Sequence, residues 1–181
     1  MEKRRDFIKK SCLTAFGAMF LGYQSRGNTA MPNDDINAHT KWWLDTLLTV
    51  CDTDEYQNCS ELVEACGREC AKKHMTGLLK FKTSLAGLPL ETQIQLMNEN
   101  HIGGDSVELK GDTIEGKYAK CYCPTRSSGM VTAPAFCNCT IGWLKEVYEN
   151  LFDKKVEVRL IESIGRGGEV CRYQLKLVNR E

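Results

Sequence analysis

The residues best suited to chemistry in this chain are its ten cysteines, set against only three histidines. Four of them form two C-x-C pairs, Cys121-Tyr122-Cys123 and Cys137-Asn138-Cys139, separated by 13 residues. In an extended strand, residues two apart face the same side, so each pair can present two sulfurs to one centre. Cys171 is expected on the core-facing side of the last strand. Cys121, Cys123, Cys137, Cys139 and Cys171 are therefore expected to converge at one end of a sheet. Four such thiolates suit a tetrahedral zinc ion, although zinc ribbons space their pairs as C-x2-C. The same sulfurs also suit disulfides or plain burial, and the sequence leaves these open.

A second thiol cluster is Cys59, Cys66 and Cys70. Cys66 and Cys70 stand one turn apart on one helix face, with Cβ atoms about 6 Å apart. That is too far for a mutual disulfide, which needs about 4.5 Å or less. Core burial, a disulfide to another segment, a metal shared with His74 and redox chemistry are the alternatives. Nine cysteines lie beyond the amino-terminal leader, an odd number, so one monomer cannot pair them all.

Signals for catalysis are thin. His39, His74 and His101 all fall in the part of the chain that reads as helical, ahead of the strands. No Ser-His-Asp, H-E-x-x-H or phosphate-loop pattern is present, and Gly165-Arg166-Gly167-Gly168 lacks the Lys and Ser/Thr that a phosphate loop needs. Trp42, Trp43 and Trp143 are expected in the core rather than around a ligand.

The elements that position the sulfurs read as helices first and strands later. Apolar spacings of three and four predict helices over Ile36 to Cys51, Asn58 to about Lys73, Met75 to Leu85 and Pro89 to about Asn100. On the second, Leu62, Val63, Cys66 and Cys70 are expected to share one buried face. Short alternating runs at Val107 to Leu109, Ile114, and Tyr118 to Cys123 predict strands. A loop follows over 124–134, then a helix from Thr140 to Phe152 and two closing strands around Val156 to Leu160 and Cys171 to Leu177. The class is α+β, with an antiparallel sheet and one packed helix, in a single domain over 31–181.

The first residues read as an address. Arg4-Arg5-Asp6-Phe7-Ile8-Lys9 fits the twin-arginine pattern, with Arg4, Arg5, Phe7, Ile8 and Lys9 at the characteristic positions, followed by a modest apolar stretch. This segment, 1–30, is expected to engage the twin-arginine translocase and deliver the chain to the periplasm or cell surface. The stretch is too short for a permanent membrane span. Beyond residue 30, 18 basic residues face 22 acidic ones, which argues against nucleic-acid partners.

The carboxy-terminal third, 121–178, resembles the 4-vinyl reductase domain on the run Cys137-x4-Gly142-Trp143, Val156-Glu157-Val158-Arg159-Leu160 and Gly167-x3-Cys171-Arg172-Tyr173. Cys123-Pro124 with Cys137 and the late Gly-x3-Cys also resembles the L-2-amino-thiazoline-4-carboxylic acid hydrolase family. The first resemblance implies a small-ligand pocket and a structural zinc held by a Cys before the helix, a Glu and a Cys on the next strand, and the Cys after the Gly. Cys137 and Cys171 fall on the outer two of these positions, whereas the middle two fall on Leu160 and Ser163. Glu162 can substitute only through a bulge in the strand. The expectation is an exported, cysteine-rich domain binding a small ligand or zinc without catalysis. A hydrolase of a small cyclic amide or thiazoline-like substrate with a Cys at its site is the alternative, and a disulfide-stapled structural protein the third.

Overall fold

A computed structural model describes residues 33–51, 53 and 59–178. The twin-arginine residues Arg4, Arg5, Phe7, Ile8 and Lys9, and Cys12, lie outside the described residues. The chain divides into two compact units, Met1–Ala38 and His39–Glu181. Of the first unit, only residues 33–38 are described. No helix among the described residues is long and apolar enough to cross a membrane.

Helix α1 (Asn33–Val50) buries Leu48 and packs Leu44 against Val131, Ala133 and Phe136. Its face is fixed by Asp45, whose carboxylate accepts the amides of Thr132 (2.6 Å) and Ala133 (3.1 Å) and the Thr132 hydroxyl (2.8 Å). That clasp corrects the expected stripe, because Trp42 and Trp43 are left 60% and 56% exposed and do not enter the core. Trp143 is partly buried, its ring 5.6 Å from that of His74.

Helices α2 (Cys59–Lys72), α3 (Met75–Leu85) and α4 (Leu90–Glu99) come next along the chain. Strands β1 (Ser106–Lys110) and β2 (Thr113–Tyr118) form a hairpin. A short helical turn, α5 (Pro124–Ser127), and a 3-10 turn (Pro134–Cys137) lead into the long helix α6 (Asn138–Phe152). Strands β3 (Lys155–Glu162) and β4 (Cys171–Val178) end the fold, joined through a 3-10 turn over Ile164–Arg166. The sheet order is β1-β2-β4-β3 with every pair antiparallel, as the α+β reading requires.

Helix α6 lays Leu144, Val147, Tyr148 and Leu151 on the sheet face made by Val107, Ile114, Val156, Tyr173 and Leu175. The buried Tyr148 and Tyr173 hydroxyls meet at 2.7 Å, and Tyr173 donates to the Gly103 carbonyl, so neither polar group is stranded. Asn98 of α4 closes the free edge of β1, accepting the Val107 amide (2.7 Å) and donating to its carbonyl (2.6 Å).

The crossing of α2 with α6 is unusually close because glycines face backbone on both sides. A Cβ at Gly67 would lie 1.9 Å from the Cys139 carbonyl oxygen, and one at Gly142 would lie 1.8 Å from that of Glu64. Ion pairs flank it, Arg68 with Glu149 (2.8 Å) and Glu146 (3.1 Å), and Lys145 with Glu64 (2.6 Å). The buried stripe of α2 is consequently Val63, Gly67 and Ala71. Leu62, Cys66 and Cys70, expected on the buried face, are exposed. The docking glycine sets the rotation of the helix, and side-chain hydrophobicity alone does not.

Candidate functional site: paired thiols within a cysteine cluster

Neither C-x-C pair sits in a strand. Strand β2 stops at Tyr118 because Asp105 draws the next stretch of chain aside, accepting the Ala119 amide (2.6 Å) and the Tyr122 hydroxyl (2.6 Å). Cys121 and Cys123 therefore occupy the segment between β2 and α5. Cys123 precedes Pro124 and has the extended backbone such a position favours, with φ −69° and ψ 115°. Cys137 closes the 3-10 turn, while Cys139 lies in the first turn of α6. Side chains two apart no longer share a face as they would in a strand, although Cys137 still neighbours Cys139.

The sulfurs sort across the two segments instead. Cys123 and Cys139 come near enough for their thiols to act on each other's acidity. The partner thiol is the main reason that the Cys123 thiol is lowered to about 5, against the opposing effect of burial. The amides of Arg126 and Thr125 and the Thr125 hydroxyl also face the Cys123 sulfur and lower it further, without closing a helix-cap hydrogen bond. Cys139 moves the other way: the Cys123 thiolate, burial and the neighbouring Cys137 and Cys70 all hold its proton on. Such a split in acidity is what a nucleophilic cysteine and its partner require.

The other sulfurs group around Cys171. Burial raises its thiol, the Ile164 amide opposes this, and Cys121 and Cys137 lie near enough for their charge to raise it again. Cys137 rests on the turn opposite β3, where a Cβ at Gly165 would stand 2.3 Å from its sulfur. Arg126 pins the same turn, donating to the carbonyls of Gly165 (2.8 Å) and Ala133 (3.2 Å). Ser163 is buried there, and its hydroxyl has no hydrogen-bond partner. Strand β3 does carry an irregularity between Leu160 and Glu162. The Glu162 carboxylate is nevertheless committed to the loop, accepting the amides of Glu169 (2.9 Å) and Val170 (3.3 Å) and pairing with Arg172 (3.2 Å).

Among the described residues, no group of three or more His, Cys, Asp or Glu side chains is arranged to hold a metal ion. In the second cluster, Cys59 forms a disulfide with Cys51, their Cα atoms 5.1 Å apart, whereas Cys66 and Cys70 are free thiols. Sequence reasoning missed that bond because Cys51 completes the apolar spacing of α1. The separation of eight residues between the two cysteines was the available signal. Thr125, which the sequence did not single out, owes its place to the turn that Pro124 starts. An open cleft of about 450 Å³ on the outer sheet face includes Lys110, Glu115 and Gln174, whose polar groups already bond one another. It is a solvated strand surface.

The chain is similar to the phenol-responsive sensory domain of the transcription activator PoxR with phenol, at 14% identity over 77% of this chain and 74% of that one, with a TM-score of 0.46. It is also similar to an H-NOX protein from S. oneidensis in the Fe(II)NO ligation state, at 15% identity over 96% and 94% of the two chains, with a TM-score of 0.40. No curated protein matches it. Residues 55–181, which carry helices α2 to α6, the sheet and every cysteine of the described residues except Cys51, match a family of unknown function, DUF6144, and the chain belongs to that family.

Proposed function

We propose that the protein acts through a reversible dithiol–disulfide pair formed by Cys123 and Cys139. The observation that carries this reading is the approach of two free cysteines from different segments, Cys123 and Cys139, whose interaction lowers the acidity constant of one thiol and raises that of the other. Both side chains are partly exposed, so a small reagent reaches them without unfolding the chain. On oxidation, the Cys123 thiolate and the Cys139 thiol together lose two electrons and one proton as the S–S bond forms. With a low-molecular-weight disulfide as oxidant, those electrons pass to its sulfurs, which leave as two thiols after taking up that proton and one from solvent. Export by the twin-arginine route would place the pair in an oxidising compartment, consistent with a thiol site that is read by its redox state.

The test is a redox titration of the full chain in glutathione buffers, quenched by alkylation and read by mass spectrometry. A step of two thiols is expected in addition to that of Cys51–Cys59, and it should vanish in both Cys123→Ser and Cys139→Ser. If Cys123 and Cys139 stay alkylatable across the whole range, or the step survives both substitutions, the reading fails. One equivalent of bound zinc that protects both thiols from alkylation also refutes it and restores the metal expectation.

A further inference from the structure

We propose that the free edge of strand β3 is a self-association surface, on which a second copy of this chain pairs antiparallel across a two-fold axis. The sheet order places β1 and β3 at its two edges, and only one of them is closed. On β1, Asn98 takes up both backbone groups of Val107. Strand β3 has β4 on one side and, among the described residues, no strand on the other, and it contains no proline to blunt that side. Such an edge is a template for a further strand. Backbone groups alternate in direction along a strand. The Val156 amide meets the Glu149 carboxylate of α6 (3.5 Å) and not β4, so the N–H and C=O groups of Val156, Val158 and Leu160 point to the free side.

Charge selects the occupant and its register. Elsewhere on the sheet Lys110 pairs with Glu115 (2.5 Å), Lys176 with Asp112 (3.2 Å) and Arg172 with Glu162 (3.2 Å). The exposed Glu157 and Arg159 make no ion pair among the described residues, since Lys176, opposite Glu157 in the sheet, is taken by Asp112. A two-fold axis at Val158 sets Glu157 of each copy against Arg159 of the other. These are the positions between hydrogen-bonded pairs, where facing side chains come closest. Centring the copies on Glu157 would oppose two glutamates, and centring them on Arg159 would oppose two arginines. The same register lays Val158 on Val158 and Val156 on Leu160, continuing the apolar face that α6 covers. The irregularity between Leu160 and Glu162 ends the pairing there. A pairing of that length buries less than the roughly 800 Å² per partner of a standard stable interface, so the dimer is reversible, with a dissociation constant on the order of 10 µM. With β1 closed, the two-fold contact uses the last edge and assembly stops at two.

The experiment is analytical ultracentrifugation of the full chain from about 1 to about 300 µM, a range that brackets this value. A monomer–dimer equilibrium is expected. Glu157→Arg and Arg159→Glu should each weaken it about tenfold, because two cross-strand pairs change from attraction to repulsion. Both side chains are exposed, so thermal unfolding of the monomer should stay unchanged. Mixing the two variants in equal amounts should restore a dimer at least as tight as the original, since every glutamate then faces an arginine. In the unaltered chain, amide exchange at Val158 and Leu160 should slow as concentration rises through the same range. A dimer that both reversals leave intact, one that leaves those amides unprotected, one held by a disulfide on non-reducing gels, or no dimer at the highest concentration overturns the inference.

Discussion

Replacing Gly142 with alanine will cost the fold about 3 kcal/mol, seen as a fall of roughly 10 °C in melting temperature for a chain of this size. The added Cβ would lie 1.8 Å from the Glu64 carbonyl oxygen and 3.0 Å from the Arg68 amide nitrogen. Both are helix backbone and cannot rotate away, so α2 and α6 must separate. That separation would also pull apart Arg68 from Glu146 and Glu149, which span the same crossing. Gly77→Ala is the matching control. It lies within α3 with nothing inside 4 Å of its new Cβ, so the substitution should stabilise by about 1 kcal/mol through helix propensity alone. Thermal unfolding of the two variants measures both effects. Equal melting temperatures would show that the two helices do not meet through their glycines.

The second large effect is on acidity. Cys139→Ala removes the partner thiol that contributes most to lowering Cys123, and the Cys123 midpoint should climb from about 5 towards the ordinary thiol range. The proper readout is the pH midpoint of alkylation and not the rate at one pH. A less acidic thiolate is scarcer at neutral pH but intrinsically more nucleophilic, and the two changes largely cancel. The sign for stability comes from the lowered value. Folding favours the Cys123 thiolate, so its contribution is full above the unfolded-state thiol pKa and is lost as pH falls through about 5. The variant should lack that loss. An unchanged midpoint in Cys139→Ala would mean that the turn amides, and not the partner thiol, hold the charge.

Much of the scaffold was legible because it depends on local periodicity. Helix α3 runs over the expected Met75 to Leu85, and α6 with the β3–β4 hairpin appears where alternation and spacing put them. The site was less legible, since its geometry is set by groups distant in sequence. Asp105 ends β2 at Tyr118, so Cys121 and Cys123 leave the sheet on which their shared face depended. Pro134 starts a 3-10 turn that does the same for Cys137 and Cys139. The result exchanges partners, joining Cys123 to Cys139 and leaving Cys121 and Cys137 near Cys171. In the same way, Asp45 turns Trp42 and Trp43 to solvent, and Gly67 exposes Cys66 and Cys70. In each case one long-range contact, invisible to periodicity, outweighed a local preference.

Whether Cys123 and Cys139 are redox partners is decided by disulfide mapping of the intact chain after mild oxidation, using proteolysis without reduction and mass spectrometry of the linked peptides. The expected result is a peptide joining Cys123 to Cys139, alongside the one joining Cys51 to Cys59, with Cys121, Cys137 and Cys171 recovered as free thiols. A link from Cys123 to Cys121, Cys137 or Cys171, or recovery of Cys123 and Cys139 both unlinked, would contradict the pairing.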